Sequence, residues 1–470
     1  MSSKYDVLVI GNGSIGSFIA CDIIRKHPSF RVAVLGQALR NNAASAAAGA
    51  MINVFAEMEH SHTSTSSDLN RKYLNLGIEG SKGWTRFLKD IGRTSEVITA
   101  KDTLVFLKKE ASSFETANFE EMVLVAKEHE VYEDFSLVDF NKELPLTTNL
   151  VQSVAKIKGE FALDTGKLLQ TLDDYLREQK VELINAEVFS IHSGTVLKIE
   201  TNKGMFEAEK VVVAAGSNSA DLLKEFPLIP MLQGVGSAYL FRPSRMTMPR
   251  IFSDHVIRTV NRGGAQCGFH VVPRKAGFYL GAGNYITFPS ESSHRLETLR
   301  YLFQTLESEL IDKELSYDLV GSLVKGHRPK SMDGLPMIGS LQGSENIFVA
   351  TGTNRAGLTW APSISHEVLS WLDGNGPAKM FLNWKPDRGI VSFGSNDEAI
   401  NYFVESRVGA ALEHKLISTD AGAIENRKAE LRILGRDLLI ETQKRFNSAI
   451  FVPHPDHWAP ILENEFSCFV

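Results

Sequence analysis

The sequence predicts an α/β fold with a parallel βαβ unit at its start, an antiparallel sheet in its middle and a helical extension at its end. The first observation is the apolar run 7–10, which leads into a glycine-rich turn and a helical pattern. The second is a set of short runs of alternating polarity between residues 231 and 288, typical of an antiparallel sheet. The third is a pair of helical patterns within residues 391–470.

The opening unit carries the motif G-N-G-S-I-G at residues 11–16, between a strand and a helix, and a second apolar strand follows at 31–35. In such a turn Gly11 permits the tight bend, Gly13 lets the backbone approach a pyrophosphate, and Gly16 lets the helix pack closely on the strand. The N–H groups at the helix start then bind phosphates. This context predicts dinucleotide binding; the alternative is a glycine-rich turn in another kind of α/β protein.

The second strand of the unit ends without the acid that usually follows it. Asp or Glu at this point holds the ribose hydroxyls in dinucleotide-binding units, whereas this chain has Gly36 and then Gln37. Gln37 offers the ribose a neutral amide. The missing acid weakens the prediction of a nucleotide site without removing it.

Two segments after this unit are rich in small or polar residues. Small residues at 41–51 permit a close approach to phosphates or to an isoalloxazine ring; the alternative is an alanine-rich helix start. The residues that follow include Glu57, Glu59, His60 and His62. Their spacing matches no metal motif and a polar loop explains them, so no metal site is predicted.

Composition and charge are those of an ordinary soluble protein of two or three domains. The formal net charge of -6 argues against a nucleic-acid surface. The three cysteines, Cys21, Cys267 and Cys468, are too few and too scattered for a disulfide framework or a zinc site. No apolar run reaches the roughly twenty residues that span a bilayer, and the first strand begins too early for a signal peptide to precede it. We expect a cytoplasmic protein that binds neither nucleic acid nor membrane.

The other elements follow from periodicity and turn signals. Helical spacing predicts helices over 17–25, 73–88, 117–129, 164–179 with Asp164 or Thr165 as N-cap, 294–310, 399–416 and 427–446. Apolar or alternating runs predict strands at 103–107, 181–184 and 347–350, an antiparallel pair at 191–200 and 205–209 with its turn at 202–204, and a buried strand at 210–216 that ends in a glycine turn. The last two helices are amphipathic and are expected to pack on the main body or on a partner subunit; the alternative is a lid over a site.

A second glycine-rich pair of segments lies late in the chain. Residues 326–339 read G-H-R-P-K-S-M-D-G-L-P-M-I-G. After the strand at 347–350, residues 351–362 read T-G-T-N-R-A-G-L-T-W-A-P and lead into a helix through Trp371. A glycine-rich turn into a helix offers backbone N–H groups and a positive dipole end. This arrangement suits the negatively charged pyrimidine oxygen of a reduced flavin.

Together these motifs resemble the FAD-dependent amine and amino-acid oxidase family, which includes D-amino-acid oxidase, glycine oxidase and sarcosine oxidase. The similarity runs from Tyr5 to Arg388 and rests on the order and spacing of the segments 11–16, 44–49, 211–216, 326–336 and 351–362, with Pro386-Asp387-Arg388 at its end. The resemblance implies a Rossmann-like FAD-binding domain at 1–91, 152–232 and 320–390. An antiparallel-sheet substrate domain is expected at 92–151 and 233–319, and a helical C-terminal extension at 391–470.

The resemblance also implies which residues surround the cofactor. They are Gly11, Gly13, Ser14, Ile15, Gly16, Gln37, Ala44, Ser45, Gly49, Met51, Val188, Ala215, Gly216, Arg328, Gly352, Asn354, Arg355, Gly357, Leu358 and Thr359. Sarcosine-oxidase-like members bind the flavin covalently through a cysteine just before the proline-rich motif, and residues 321–332 contain no cysteine. We therefore expect non-covalent FAD.

Four side chains are the catalytic candidates that the resemblance implies: Arg328, Arg355, His270 and Tyr239. Arg328 resembles by position the glycine-oxidase arginine that pairs with a substrate carboxylate, for which a guanidinium offers a bidentate fork; the alternative is a structural acid or carbonyl as its partner. Arg355 resembles a residue beside the flavin and contacts the substrate, the flavin or only its own loop. Further pocket candidates are His255 and Tyr285. A strand histidine such as His270 is more often a satisfied structural residue than a base.

The implied activity is oxidation of the C–N bond of an amine or amino acid. The amine binds neutral, its α-hydrogen passes as hydride to the flavin, the imine hydrolyses, and the flavin is reoxidised by O₂ or another acceptor. Such chemistry needs orientation more than a strong base, in keeping with the lack of an acid–base or nucleophile motif. Two alternatives stay open: an FAD-dependent 2-hydroxy-acid or alcohol dehydrogenase on the same fold, and a flavoprotein subunit that docks a partner or forms a homo-oligomer through its C-terminal helices.

Overall fold

The computed structural model describes residues 4–61, 63, 66–143, 150–243, 254–261, 268–288, 295–305 and 319–464. Within these residues the strands are β1 (Lys4–Ile10), β2 (Val32–Gly36), β3 (Met51–Ile52), β4 (Ile98–Ala100), β5 (Asp102–Lys108), β6 (Tyr132–Asp134), β7 (Val151–Ile157), β8 (Phe161–Leu163), β9 (Glu182–Asn185), β10 (Val188–His192), β11 (Leu197–Thr201), β12 (Gly204–Val213), β13 (Met231–Pro243), β14 (His255–Thr259), β15 (His270–Arg274), β16 (Gly277–Thr287), β17 (Leu319–Ser331), β18 (Met337–Leu341) and β19 (Ser344–Thr351). The helices are α1 (Ser14–Lys26), α2 (Ser66–Asp90), α3 (Thr94–Val97), α4 (Ser113–Glu128), α5 (Leu137–Glu143), α6 (Thr165–Glu178), α7 (Ser219–Leu222), α8 (Leu296–Thr305), α9 (Gly357–Leu372), α10 (Asn396–Glu413), α11 (Ala421–Arg445) and α12 (Trp458–Glu463).

The first sheet has a parallel centre, as the opening motif predicts. β1 lies between β2 and β12 and runs parallel to both, β9 pairs with β2, and β19 pairs with β12 in the same direction. Residues 7–10 of β1 are at most 2% exposed, because the strand is covered on both faces, and this explains its continuous apolar run. The antiparallel strands β10, β11 and β18 complete this sheet among the described residues.

Helices cover one face of the first sheet and hold the opening turn in place. Apolar side chains of α1, α2, α6 and α9 share one core with the strands. Helix α1 packs so closely that a Cβ on Gly16 would stand 1.9 Å from the carbonyl oxygen of Gly11, and Gly11 has a φ of +111°. Backbone geometry therefore requires both glycines, and it confirms their predicted roles in the tight turn and the helix–strand contact.

The second sheet runs in the order β17-β13-β16-β15-β14-β5-β7-β6 and is antiparallel except between β14 and β5. The antiparallel sheet predicted between 231 and 288 is confirmed by β13, β15 and β16. Strand pairing also brings β7 and β17 into this sheet, although the predicted segments 152–232 and 320–390 place them in the FAD-binding domain. Hydrogen bonding to β5 and β13 decides where these two strands lie, and the domain boundaries themselves remain a prediction. A small third sheet contains β3, β8 and β4.

Most predicted elements are confirmed, and the exceptions have simple causes. Residues 205–209 and 210–213 form the single strand β12, which pairs with β11 over its first half and with β19 over its second. The predicted strand 191–200 is two strands, β10 and β11. Asp164 caps α6 by accepting a hydrogen bond from the Lys167 N–H at 3.0 Å. The predicted helix 294–310 is observed as α8, and its two ends lie outside the described residues.

The C-terminal extension packs on the main body. Helices α10 and α11 are confirmed and share a core with Trp458. Phe446, Phe451 and Ile461 join a second core with side chains of β13, β16 and β18. Helix α10 is buried on most sides, whereas Leu434, predicted on the apolar face of α11, is 46% exposed. None of the described helices combines the length and the apolar composition needed to cross a bilayer.

Candidate functional site

A cavity of about 1070 Å³ lies between the first sheet and the second. One wall follows the carboxyl ends of parallel strands, with residues 11–15 after β1, 35–37 at the end of β2 and 214–217 after β12. Residues 326–330 of β17 and His270 of β15 line the cavity as well. Open α/β sheets bind their ligands at the carboxyl ends of the strands, so this cavity is the candidate site.

One end of the cavity, here called the nucleotide end, is formed by residues 11–15, 36–37 and 44–45. The backbone N–H of Ser14 donates to the hydroxyl oxygen of Ser45 at 2.9 Å, and the two serine hydroxyl oxygens lie 3.0 Å apart. A Cβ on Gly13 would stand 3.1 Å from the same Ser45 oxygen, so glycine keeps the turn and the small-residue segment in contact. Gly13 is the N-cap of α1 and has no side chain to cap it. The N–H end of the helix therefore faces the cavity, an arrangement that fits a pyrophosphate.

The other end, here called the flavin end, is formed by residues 326–330 and 351–359. The backbone N–H of Asn354 donates to the Pro329 carbonyl at 2.8 Å, and the Thr351 hydroxyl donates to the Gly216 carbonyl at 2.8 Å. Gly352 has a φ of +70°, which favours glycine. The two late motifs thus meet at the start of α9, whose positive dipole end suits an anionic ring oxygen.

The structure brings nearly all the predicted cofactor residues to this cavity. Those that line it are Gly11, Gly13, Ser14, Ile15, Gln37, Ala44, Ser45, Gly49, Met51, Val188, Ala215, Gly216, Arg328, Gly352, Asn354, Arg355, Gly357, Leu358 and Thr359. Gly16 is the exception, since it is buried against the Gly11 carbonyl and serves packing. The individual contacts of these residues with a cofactor remain a prediction.

The pocket candidates on β13, β14, β15 and β16 are Tyr239, His255, His270 and Tyr285. Of these four, only His270 lines the cavity. The Tyr239 ring packs on Phe303 with ring centroids 4.9 Å apart, and Tyr239 is three residues along the strand from Gly236, the β13 residue that lines the cavity. Tyr285 lies under the guanidinium of Arg295, and His255 lies on β14 away from the cavity lining. Tyr239 therefore does not line this cavity, because residues three apart on a strand lie on opposite faces, and its catalytic role stays a prediction.

His270 is a neutral, fixed side chain. Its Nδ1 lies 3.0 Å from the Gly268 carbonyl, which only accepts, so Nδ1 carries the hydrogen and Nε2 a lone pair. Burial, aided by the charges of Arg258 and Arg328, lowers the pKa of His270 to about 3. The ring stacks on Tyr279 with centroids 5.7 Å apart, and a Cβ on Gly49 would stand 3.3 Å from Nε2. The imidazole therefore helps to shape the cavity and stays uncharged at neutral pH.

Arg328 reaches the cavity across a glycine on the neighbouring strand. It pairs with Gly234 of β13, and a Cβ on Gly236 would stand 2.3 Å from its Nη2. Gly236 therefore leaves the room in which the guanidinium lies. Arg328, the predicted carboxylate-binding arginine, thus lies at the cavity wall. Its charge is close enough to His270 to lower the pKa of that imidazole.

Arg355 belongs to a network of charges that the sequence did not reveal. Its guanidinium lies 3.2 Å from Glu59 and 3.7 Å from Glu57, and it donates to the Asn261 side-chain oxygen at 3.1 Å. Arg258, which is 1% exposed, donates to both Glu57 and Asn261. Burial raises the pKa of Glu57, but Arg258 and Arg355 outweigh burial and lower it to about 2.

The network also accounts for the residues Glu57 and Glu59, which belong to the segment predicted to be a polar loop and not a metal site. Glu57 and Glu59 are paired with arginines, and His62 lies outside the described residues. No group of three or more His, Cys, Asp or Glu side chains in the described ranges is placed to hold a metal ion. The sequence shows the acids of this segment, but their partners Arg258 and Arg355 are about 200 and 300 residues away and cannot be identified from the segment itself.

The C-terminal extension supplies residues to the same cavity. Phe393, Tyr402, His454 and Asp456 line it. Asp456 forms an ion pair with Lys330 of β17 at 3.2 Å, with side chains 7% and 8% exposed. Burial, with the nearby charge of Lys330, lowers the pKa of His454. Sequence reasoning placed no residue of the extension at the site, because helical periodicity shows only that a face is buried and not what it faces.

The chain is similar to proteins of a known family. A family model described as FAD dependent oxidoreductase matches residues 6–371. A glycine oxidase of Pseudomonas aeruginosa is 26% identical over 188 residues, which cover 39% of this chain and 46% of that protein. A D-amino acid dehydrogenase of Helicobacter pylori is 21% identical over 265 residues, which cover 55% of this chain and 60% of that protein. The chain thus spans about half the length of the curated relatives it matches.

Solved structures share the fold over a larger part of the chain. Glycine oxidase from Geobacillus kaustophilus superposes with a TM-score of 0.68 at 19% identity and covers 83% of this chain and 100% of that one. Iminodiacetate oxidase from Chelativorans sp. BNC1 gives a TM-score of 0.65 at 16% identity, with 81% and 98% of the two chains covered. At these identities the similarity establishes the arrangement of sheets and helices.

Proposed function

The chain belongs to the family of FAD-dependent oxidoreductases, and we propose that it oxidises the C–N bond of an amine or amino acid. The family match at residues 6–371 contains both ends of the cavity. Relatives and structural neighbours named glycine oxidase, D-amino acid dehydrogenase and iminodiacetate oxidase support an amine-bearing substrate. A family fold hosts several chemistries, so the substrate is argued from the site.

The residues of the cavity fit FAD. The start of α1 would hold the pyrophosphate, together with Gly13 and the Ser45 hydroxyl that contacts Ser14. The start of α9 would face the ring system. Bound there, FAD would supply an acceptor for one hydride, which carries both electrons of the oxidation. The chain itself then has to bind the substrate, orient it and keep the amine in its neutral form.

The observation that carries the proposal is the guanidinium of Arg328 at the cavity wall. A guanidinium binds a carboxylate through two parallel hydrogen bonds, which fixes both the position and the rotation of an amino acid. His270 and Tyr279 beside it are uncharged and present a lone pair and a ring to the cavity. The positive charges of Arg258 and Arg328 disfavour a further cation in these surroundings, as they do for His270, and so favour a neutral amine over an ammonium ion.

Loss of the α-hydrogen as hydride and of one N–H proton converts the amine into an imine, which water hydrolyses to a carbonyl compound and ammonia or an amine. Some of the relatives are named oxidases and others dehydrogenases. We therefore propose that the reduced flavin passes its electrons to O₂ or to another acceptor. The strong acid–base groups near the cavity, Glu57 and Glu59, are paired with arginines. They are thus better suited to holding the structure than to removing a proton.

The proposal is tested with the purified protein loaded with FAD and kept free of oxygen. Amino acids and primary or secondary amines are added in turn, and bleaching of the flavin absorbance is followed. We expect bleaching by at least one carboxylate-bearing amine and none by 2-hydroxy acids. Bleaching by hydroxy acids alone would identify an alcohol-oxidising enzyme, and a flavin that no amine bleaches would leave the amine proposal without support.

A further inference from the structure

The end of β2 differs from an ordinary dinucleotide-binding unit in a way that the side chain of Asn12 explains. A Cβ on Gly36 would stand 2.5 Å from Cγ and 2.6 Å from Oδ1 of Asn12. Any side chain at position 36, including the usual acid, therefore clashes with this amide. Both residues line the nucleotide end of the cavity. Asn12 thus occupies the place that an acid on β2 normally takes.

The Asn12 side chain is also oriented. Its Nδ2 donates to the Gln37 carbonyl at 3.0 Å, which leaves Oδ1 as the acceptor end of the amide. Its backbone carbonyl accepts from the Ser17 hydroxyl at 3.1 Å and from Arg40 Nε at 2.8 Å. Arg40 is in turn paired with Asp173 at 2.6 Å. The residue is held from three directions before any ligand arrives.

We propose that Asn12 takes over the ribose contact of FAD, with Oδ1 accepting a hydrogen bond from a hydroxyl of the adenosine ribose. The alternative residue is Gln37, whose side chain is exposed and whose backbone, not its amide, makes the contact with Asn12. A neutral amide at this place binds a ribose hydroxyl without the negative charge of the usual acid. This inference depends on the family's FAD and not on the substrate, so it stands or falls separately from the proposed reaction.

The test uses the full chain freed of flavin and titrated with FAD, with binding read from flavin fluorescence. ADP, 2′-deoxy-ADP and 3′-deoxy-ADP then compete for the site. We expect the wild type to prefer ADP over at least one deoxynucleotide by roughly three- to tenfold, the value of one hydrogen bond. Asn12→Ala loses this preference and the matched control Gln37→Ala keeps it. The proposal is overturned if Asn12→Ala keeps the preference, if Gln37→Ala loses it, or if Asn12→Ala weakens all three nucleotides equally, which is the mark of a purely structural role.

Exchanging the residues at positions 12 and 36 provides a second, independent test, in which FAD binding is measured. Gly36→Glu alone should weaken FAD binding by about tenfold or more, because the new side chain overlaps Asn12. Asn12→Gly combined with Gly36→Glu restores the usual arrangement and should bind FAD within about threefold of the wild type. If Gly36→Glu alone binds FAD as well as the wild type, the side chains at positions 12 and 36 do not overlap and the proposal is contradicted. If Gly36→Glu does not fold, FAD binding by the double variant supports the exchange and its absence refutes it.

Discussion

Arg258 shows how single side chains set the electrostatics of the cavity. Its guanidinium is 1% exposed and donates to Glu57 and to the side-chain oxygen of Asn261. A buried charge is costly unless it is paired and hydrogen-bonded. The two acids of the 57–59 segment are therefore held beside the flavin end by arginines, and the charges of Arg258 and Arg328 help to keep His270 neutral.

The proposed substrate contact is tested by Arg328→Ala. We expect kcat/KM for a carboxylate-bearing amine to fall by roughly 10- to 100-fold, chiefly through a higher KM, because a charge-assisted hydrogen-bond pair is lost. FAD content, read from the flavin absorbance, should be unchanged. Steady-state kinetics measure the effect, with Arg242→Ala, an exposed arginine on β13, as the control. Equal losses for amines with and without a carboxylate would argue against this contact.

Glu57→Gln tests the arginine network through its pH dependence. Burial raises the pKa of Glu57, but Arg258 and Arg355 bring it from the ordinary 4.5 down to about 2. A depressed folded-state pKa stabilises the fold above the unfolded pKa, and this contribution is lost as the pH falls from about 4.5 towards 2. Denaturant unfolding should show the wild type more stable than the variant near pH 7 and the difference shrinking below about pH 4.5.

The control for this experiment is Glu79→Gln. Glu79 forms an exposed ion pair with Lys82 on α2, and such pairs contribute little to stability. A difference between wild type and Glu57→Gln that is the same at every pH would mean that the charge of Glu57 is not what stabilises the network.

At the scale of elements, β17 connects the parts of the site. Its residues 326–330 line the cavity, it pairs along its length with β13, and it is tied to the 351–357 turn through the Asn354–Pro329 hydrogen bond. Arg328 and Lys330 are two residues apart and thus lie on the same face of the strand. Lys330 is bound by Asp456 of the extension, which couples the C-terminal helices to the strand that carries Arg328.

Asp456→Asn should therefore destabilise the protein although it lies far from the cofactor motifs in sequence. Removing one partner of a buried ion pair leaves an uncompensated charge, at a cost of roughly 3–5 kcal/mol. The free energy of unfolding from denaturant titration measures the effect. Glu441→Gln is the matched control in the same extension, since its pair with Lys444 is exposed; we expect roughly 0–1 kcal/mol there. Equal effects of the two variants would mean that burial of the Lys330 pair is without consequence.

At the scale of the whole molecule, the cavity is assembled from chain segments hundreds of residues apart. Residues 11–15, 44–45, 47–51, 214–217, 326–330 and 351–359 line one space together with the extension. A ligand that spans this space contacts all of these segments at once and stabilises the folded state by mass action. The two ends of the cavity should contribute separately, because one fits a nucleotide and the other a ring system.

Addition of FAD should accordingly raise the thermal stability of the flavin-free chain. The expected gain is roughly 2.7 kcal/mol when free FAD is about 100 times its Kd. Thermal unfolding followed by circular dichroism measures it. Riboflavin, which lacks the pyrophosphate and adenosine, serves as the comparison and should give a smaller shift at the same concentration. An equal shift from both ligands would show that the nucleotide end does not contribute to binding.

Local patterns in the sequence were enough to predict most of the fold, and the family resemblance that they carry implied most of the cavity lining. The glycine motifs at 11–16 and 351–357 specify backbone conformations such as the positive φ of Gly11 and Gly352, and these conformations are encoded by neighbouring residues. Strand and helix periods are local in the same way. The order of these motifs was also sufficient to recognise the FAD-dependent family, which the match over residues 6–371 establishes.

The sequence was least informative about side chains and strands whose surroundings come from distant parts of the chain. Tyr239 is an aromatic residue on a strand that does line the cavity at Gly236, but the two residues are three apart on a strand in unbroken register with β17, so they lie on opposite faces. The strands β7 and β17 pair with strands of the second sheet, although the predicted segments place them in the FAD-binding domain, because hydrogen-bonded pairing, unlike periodicity, is not visible in a single segment.

The sequence by itself determined the family, the cofactor and the position of the glycine-rich turns, since these depend on motifs of neighbouring residues and on the order of those motifs along the chain. Only the tertiary structure decided that Glu57 meets Arg258, that Asp456 meets Lys330, and that Asn12 fills the space beside Gly36. These contacts arise when packing brings separate segments within a few ångströms of one another, and no local pattern specifies them. The missing acid at position 36, which looked like a defect of the motif, is explained by one such contact.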